Sequence, residues 1–351
     1  IAANGALVLR RLGLEHGLDA MSVKPVSLEY RDMESGKPMV SWPTGQKSTE
    51  LYGAPLYNVH RADLIEMLAS ALPHECIKFN ARCAAIGQSD DGAWVKLESG
   101  ETIHGDAIVG ADGIHSVVRE TLYGPAEASF ANLLVWRALI PAERIMDCNL
   151  EERGNYWVGP GRSIVSYWVR PKKLYSFLAS VPATEVHRES WADSGDVNDL
   201  LHSFHGAEPR VQRMLEAIDS AFITGMYYRD PLARWTEGRI TLMGDSAHAM
   251  VPYLAQGACQ AIEDAWVLER CLARHGADDI NGGLLEYEER RRPRTTRVQA
   301  AARSMVKLVH EADQDRINAR NGRWKGMARI DPLGQTTWSF CWGYDVIKAA
   351  D

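Results

Sequence analysis

The stretch from Arg239 to Leu268, RITLMGDSAHAMVPYLAQGACQAIEDAWVL, constrains the fold of this chain more than any other. It reads as an apolar strand running into a Gly-Asp turn, then a small-residue loop, then a helix that opens at Gln256-Gly257-Ala258 and carries Glu263-Asp264 further along. One acidic side chain, Asp245, and one helix N-terminus therefore meet at a single strand end, the edge where open α/β sheets gather ligands. The carboxylate suits sugar or polyol hydroxyls, and the free N–H groups at Gly257 and Ala258 favour partial negative charge. Taken alone, the pattern also fits an ordinary βα unit whose Asp caps a turn.

Two upstream segments strengthen the ligand reading. DAIVGADGIHSVVRETL gives an apolar strand from Ala107 to Val109, the turn Gly110-Ala111-Asp112-Gly113, and a helix starting near His115-Ser116. Asn58-Val59-His60-Arg61-Ala62-Asp63-Leu64 places Arg61 in the first turn of the helix ADLIEMLASAL. A helix dipole prefers anions at that end, so Arg61 reads as an anion clamp, with a solvated surface Arg as the alternative. His115 and His248 each follow an Asp-bearing turn at a helix start, where the dipole disfavours protonation. Their expected task is to hydrogen-bond backbone and fix the loop.

These segments, in this order, resemble the flavin-dependent aromatic hydroxylases, the single-component FAD monooxygenases that include salicylate, 3-hydroxybenzoate and 6-hydroxynicotinate hydroxylases. The resemblance extends over nearly the whole chain, including Trp136-Arg137-Ala138-Leu139 and Trp342-Gly343-Tyr344-Asp345-Val346. It implies FAD as cofactor, NADH or NADPH as co-substrate, and oxygen transfer from O2 to a small phenol, hydroxybenzoate or hydroxypyridine through a flavin C4a-hydroperoxide. Carried over residue by residue, Asp112 falls in the segment that shapes the FAD and NAD(P)H sites, and Asp245 contacts the flavin's ribityl chain. The Gly257-Ala258 backbone faces the flavin ring, Arg61 looks like the family's flavin-contacting Arg, and Pro252 lies against the ring, a position also open to a plain helix-entry Pro.

The substrate side falls on the strand Gly159 to Trp168. Alternation sets Ser163, Val165 and Tyr167 on one face and Arg162, Ile164, Ser166 and Trp168 on the other. Tyr167 matches a pocket-lining Tyr of the family; Ser163 stands where the family has a His, so no His acid/base is carried over there. Tyr167 and Pro252 are thus the catalytic candidates, and Ser163, Tyr167 and Pro252 the substrate-binding ones. A Tyr on a sheet face is equally at home as packing with its hydroxyl satisfied locally.

One family part is missing. No strand, G-x-G-x-x-G turn and helix for the FAD pyrophosphate occurs in the 351 residues; Gly159-Pro160-Gly161 lacks the third glycine and Gly282-Gly283 reads as a turn. The start IAANGALVLRRLGL resembles the helix that follows that unit, so the expectation is a fragment lacking a βαβ unit of about 30 residues or more, with FAD held poorly or not at all. The expected fold is mixed α/β: a Rossmann-like three-layer FAD-binding domain, an inserted, mostly antiparallel substrate sheet, and C-terminal helices. Its expected bounds are 1–124 for the FAD-binding part with a hairpin excursion at about 25–57, 125–224 for the sheet, 225–275 for the return, and 276–351 for the helical end.

Within that plan VSLEYRDMESGKPMVSW reads as a hairpin around Glu34-Ser35-Gly36-Lys37, Cys76 to Phe79 as a strand, and Ser89-Asp90-Asp91-Gly92 as a hairpin turn. LLVWRALI, NYWV, SIVSYWV and LYSFLASV read as successive strands, and the polar segment from Thr184 to Ile218 as helical. The run Arg290-Arg291-Arg292-Pro293-Arg294 follows LLEYEE at a Glu-to-Arg spacing that favours a solvated ion-pair face.

A net charge of −7 argues against a nucleic-acid surface. The 6 cysteines lack C-x-x-C spacing, which argues against a metal site or disulfide framework, and Cys259 reads as small packing. With no apolar run of about 18 residues and no signal-like start, a cytoplasmic monomer or homodimer is expected. The same motifs would also suit an epoxidase of an apolar polyene, and a non-catalytic remnant serving as a scaffold is the alternative from another class.

Overall fold

The computed structural model describes residues 1–183, 185–186 and 193–350. The chain opens with α1 (Ala3–Arg11) and α2 (Glu15–Met21), then the strands β1 (Ser27–Asp32) and β2 (Pro38–Pro43). Helices α3 (Gln46–Tyr52) and α4 (Arg61–Ser70) lead to β3 (Cys83–Gln88), β4 (Ala93–Leu97), β5 (Thr102–Gly105), β6 (Ile108–Gly110) and α5 (Val117–Tyr123). The middle block comprises β7 (Ser129–Pro141), β8 (Gly154–Gly159), β9 (Arg162–Arg170), β10 (Leu174–Pro182), β11 (Ser194–Gly195), α6 (Val197–Ser203), α7 (Pro209–Glu216) and β12 (Ala221–Tyr228). After β13 (Ile240–Leu242) come α8 (Asp245–His248), α9 (Gly257–His275), α10 (Ile280–Val309), α11 (Gln314–Ile330), α12 (Gln335–Trp342) and α13 (Val346–Ala350).

The architecture is the mixed α/β one expected from the sequence. Strands β11-β12-β7-β10-β9-β8-β1-β2 form one sheet in that order, antiparallel except for the parallel β1–β8 pair. Period-2 alternation divides its two faces. Trp136, Phe177, Ile164 and Trp157 point to one side, where Leu200 of α6 and Val211, Met214 and Leu215 of α7 bury them. Each such side chain contributes roughly 1.5–3 kcal/mol by leaving water. The opposite face carries Tyr156, Ser163, Val165, Tyr167 and Arg137 and is left to line a cavity.

Beside this sheet β6 and β13 pair in parallel, with Gly110 opposite Leu242, so the turns after both strands open in the same direction. Gly110 is there for space as much as for the turn: a Cβ at that position would stand 2.6 Å from Val118 Cγ1 and 3.0 Å from Leu242 Cδ2. A Gly110→Ala protein is therefore expected to lose about 1–3 kcal/mol through overpacking between strand and helix. A urea denaturation midpoint equal to that of the parent would contradict this contact.

The β1–β2 hairpin, the β3–β4 hairpin through Ser89 to Gly92 and the four strands β7 to β10 form where the alternation put them. Cys76 to Phe79 is not a strand. His74–Cys76 is a single 3-10 turn after Pro73, Phe79 is 78% exposed with no sheet face to take it, and Asn80 turns left-handed at φ 54. Gly282-Gly283 lies inside the first turn of α10, where the Asp279 side chain accepts from the Gly282 N–H, and not in a loop. In the segment from Thr184 to Ile218, α6 and α7 are helical and β11 pairs with β12. Residues 184 and 187–192 of that segment lie outside the described residues.

Candidate active site

A cavity of about 930 Å³ lies between the ends of β6 and β13 and the free face of the large sheet. Its walls include all eight residues singled out from the sequence: Arg61, Asp112, Ser163, Tyr167, Asp245, Pro252, Gly257 and Ala258. On the strand-end side, a Cβ built on Gly257 would stand 4.0 Å from Asp245 Oδ1, so the acid and the start of α9 are neighbours. Gln256 at the N-cap of α9 provides no side-chain cap, and among the described residues no side chain caps the Gly257 and Ala258 N–H groups. The chain enters that helix through the 3-10 turn Pro252–Leu254 and through Ala255, whose left-handed φ of 51 costs a non-glycine residue about 1–2 kcal/mol. Strain of this kind persists where the surroundings fix it, and Ala255 itself lines the cavity.

The two acids are built differently. Asp112 is engaged by its own helix: Ser116 Oγ donates to Oδ1, and the Val118 N–H donates to Oδ2 at 3.2 Å. Asp245 is exposed to the cavity, and its carboxylate accepts no hydrogen bond from the described residues. It opens the single-turn helix α8 in place of the loop expected after the Gly-Asp turn. Arg61 is the first residue of α4, a helix tied to the large sheet by Arg170 of β9, which donates to Asp63 from Nε at 2.8 Å and Nη2 at 2.6 Å. The Arg170 hydrogen bonds outweigh burial and hold the Asp63 carboxyl down at about 2.

Beneath the strand ends runs a buried ionic network that corrects two expectations. Arg291, expected on a solvated face, is fully buried. Its Nη1 donates to Glu263 Oε2 at 2.6 Å and its Nε to Asp264 Oδ1 at 2.7 Å. Arg294 adds bonds to both Glu263 oxygens at 2.6 and 2.8 Å. Only Arg290 and Arg292 keep the expected helical pairs, with Glu286 and Glu288. The spacing was satisfied, but the packing of α10 on α9 turned one arginine inward. His248 donates from Nε2 to Asp264 Oδ2 at 2.6 Å, a carboxylate and not the backbone group expected. The Gly244 N–H donates to the same oxygen at 3.1 Å, so the network fixes the turn that presents Asp245. Burial pushes the Asp264 carboxyl up, but the charges of His248 and Arg291 win and hold it at about 2.

On the sheet side, register aligns the wall. One row runs Tyr30, Tyr156, Val165, Leu178 and Arg137 across β1, β8, β9, β10 and β7; the next runs Val158, Ser163, Ser180 and Val135. Burial raises the Tyr167 hydroxyl above the ordinary phenol value, against the charge of Arg137. Ser163 is buried, with Oγ 2.9 Å from Ser180 Oγ. Sequence reasoning missed what stands beside these two serines. Tyr253, in the cavity wall, has its hydroxyl 2.6 Å from His310 Nε2 and 3.3 Å from Ser180 Oγ. His310, the C-cap of α10, reaches Ser163 Oγ at 3.4 Å and Ser180 Oγ at 3.3 Å. Tyr253 was visible in the Arg239–Leu268 segment, but a lone His at the end of a long helix carries no local signal.

Known proteins resemble this chain over most of its length. A family profile described as FAD binding domain matches residues 7–302. A 3-amino-4-hydroxybenzoate 2-monooxygenase, PtmB3, of Streptomyces platensis is 34% identical over 333 residues, covering 94% of this chain and 83% of that protein. A 6-hydroxynicotinate 3-monooxygenase of Bordetella bronchiseptica is 30% identical, over 99% of this chain and 84% of its own. Among solved structures, Klebsiella pneumoniae HpxO complexed with FAD and uric acid matches with a TM-score of 0.85 and 25% identity, over 96% of this chain and 86% of that one.

Proposed function

Because this chain belongs to the family of FAD-dependent aromatic monooxygenases, with FAD as its cofactor, we propose that it uses NADH or NADPH and O2 to hydroxylate a small aromatic ring of the phenol, hydroxybenzoate or hydroxypyridine type. The observation that carries the reading is the convergence of Asp245, the α9 start and Tyr167 on one cavity. The residues fit the cofactor: an unengaged carboxylate, an uncapped helix start and a cavity wide enough for a ring system lie together. In this reading Asp245 holds the ribityl hydroxyls, the Gly257 and Ala258 N–H groups face the ring's electron-rich edge, and Arg61 and Asp112 border it. No glycine-rich loop in the chain is assigned to the pyrophosphate.

Bound FAD, once reduced, supplies the activated oxygen, and the protein supplies orientation and electrostatics. The α9 start stabilises negative charge that develops beside it, and Pro252 packs at the same edge. Tyr167 presents its hydroxyl from the sheet wall to the substrate, where it stays protonated as a donor because burial raises it. Ser163, buried and bonded to Ser180, shapes that wall.

A wholly apolar cavity would have favoured an epoxidase, whereas the walls here include Arg137, Tyr167, Ser180 and Tyr253. We extend the reading to a cytoplasmic monomer or homodimer; no helix among the described residues is long and apolar enough to cross a membrane. The test is to supply the purified protein with FAD and follow NAD(P)H oxidation against a panel of simple aromatic acids and hydroxypyridines. A yellow protein whose NAD(P)H consumption rises with one ring class is expected. Protein that stays colourless with FAD supplied would sink the proposal and leave the scaffold alternative.

A further inference from the structure

Ser163 stands where the family's strand carries a His, yet an imidazole stands within 3.4 Å of its hydroxyl, delivered from the far end of α10. The proton positions follow from its partners. His310 Nδ1 lies 2.8 Å from the Gly161 carbonyl oxygen, which can only accept, so Nδ1 carries the hydrogen. In a neutral ring Nε2 is then the bare nitrogen, and it takes its closest hydrogen bond from the Tyr253 hydroxyl at 2.6 Å. Tyr253 thereby spends its only hydrogen on His310, which leaves its oxygen as an acceptor for Ser180 Oγ at 3.3 Å and for a group bound in the cavity that Tyr253 lines.

Resting on the function proposed above, we propose that Tyr253 and His310 form a proton relay that accepts the proton of a hydroxyl on the bound aromatic ring. The ring O–H bond breaks as its proton passes to the Tyr253 oxygen, and the Tyr253 proton passes to His310 Nε2. The products are a ring oxyanion, a neutral Tyr253 and an imidazolium still bonded to Gly161. The oxyanion pushes electron density into the ring, which is what makes it reactive toward an electrophilic oxygen. The proton returns along the same path to that oxygen once the ring has been hydroxylated. Tyr253 is the residue that touches substrate; His310 acts through it.

The surroundings fit a base that rests neutral. The groups facing His310 are the Gly161 carbonyl from the β8–β9 turn, Ser163 of β9, Ser180 of β10, Tyr253, and Arg320 of α11. No carboxylate among the described residues hydrogen-bonds it. Burial lowers its affinity for a proton and Arg320 lowers it further, against the Gly161 carbonyl. Burial also pushes the Tyr253 hydroxyl up to about 12, so the tyrosine passes a proton on and does not keep the charge. The short Tyr253–His310 link suits direct passage of the proton through the tyrosine, which itself keeps no charge.

Two readouts test the relay on the FAD-loaded protein. In long-range 15N spectra of His-labelled protein, the signals lost in His310→Gln identify His310. They are expected to show a neutral ring at pH 7 with the hydrogen on Nδ1; a hydrogen on Nε2, or a charged ring, overturns the relay. In absorbance titrations of a bound hydroxybenzoate, Tyr253→Phe and His310→Gln are each expected to raise the pH at which the bound phenol ionises by about 1–2 units. Each is also expected to lower kcat by about 100-fold, with the loss shrinking as pH rises and the free phenol ionises unaided. Hydroxylation with the same phenol titration in all three proteins overturns the relay alone. If no phenol binds or is hydroxylated while the flavin is present, the proposed function falls and the relay falls with it.

Discussion

An Arg291→Met protein is expected to lose about 3–5 kcal/mol of stability at pH 7, the cost of leaving buried carboxylates without their cation. Glu263 and Asp264 are both fully buried, and Arg291 bonds each of them from the core side of α10. Glu263 would keep Arg294 and the Asn4 amide, and Asp264 would keep His248, so the cost falls chiefly on Asp264 and the strand-end turn it holds. The effect has a pH signature. The folded-state value of Asp264, about 2, lies below the unfolded value of about 3.9. Its contribution is therefore complete above about pH 4 and is lost as pH falls through about 2. Removing Arg291 raises the folded value, so acid unfolding of the variant sets in at a higher pH than that of the parent. Denaturant midpoints within about 0.5 kcal/mol of the parent, a surface-like response, would contradict the burial of this arginine.

Asp245→Ala is expected to weaken FAD binding by about 10- to 100-fold, the value of a hydrogen bond to a charged group at 1.4 kcal/mol per tenfold. Tyr167→Phe is expected to leave FAD binding unchanged and to act on turnover. The division follows from position: Asp245 lies beside the α9 start, and Tyr167 projects from the sheet wall opposite. Asp245 makes no side-chain hydrogen bond among the described residues, so its removal leaves the fold intact and the loss can be read as binding. Dissociation constants from flavin fluorescence titration, with thermal melting as a control, separate the two variants. Equal flavin loss in both would refute the separation.

The parts of the site that could be read in the sequence are those whose signal is local. The strands ending at Gly110 and Leu242, the acids just beyond them and the helix opening at Gly257 each occupy a few consecutive residues, so periodicity and turn chemistry suffice to find them. Alternation likewise placed Ser163, Val165 and Tyr167 on one face of β9, the face that lines the cavity. The strand expected at Cys76 to Phe79 failed because a short apolar run says nothing about whether a neighbouring strand exists to pair with it. His310 could not be found this way, since it meets Ser163 across 147 residues of chain.

By itself the sequence determined most of the strands, turns and helices, because those choices depend largely on side-chain period and on glycine and proline within a few residues. It also determined which acids and glycines stand at the strand ends. Only the tertiary structure decided which way a helix with arginines on several sides would face, sending Arg291 into the core and leaving Arg290 outside. It alone brought His310 to Tyr253 and the two serines. The physical reason is the same in both cases: an ion pair or hydrogen bond between distant segments exists only once packing of apolar faces has fixed how those segments meet.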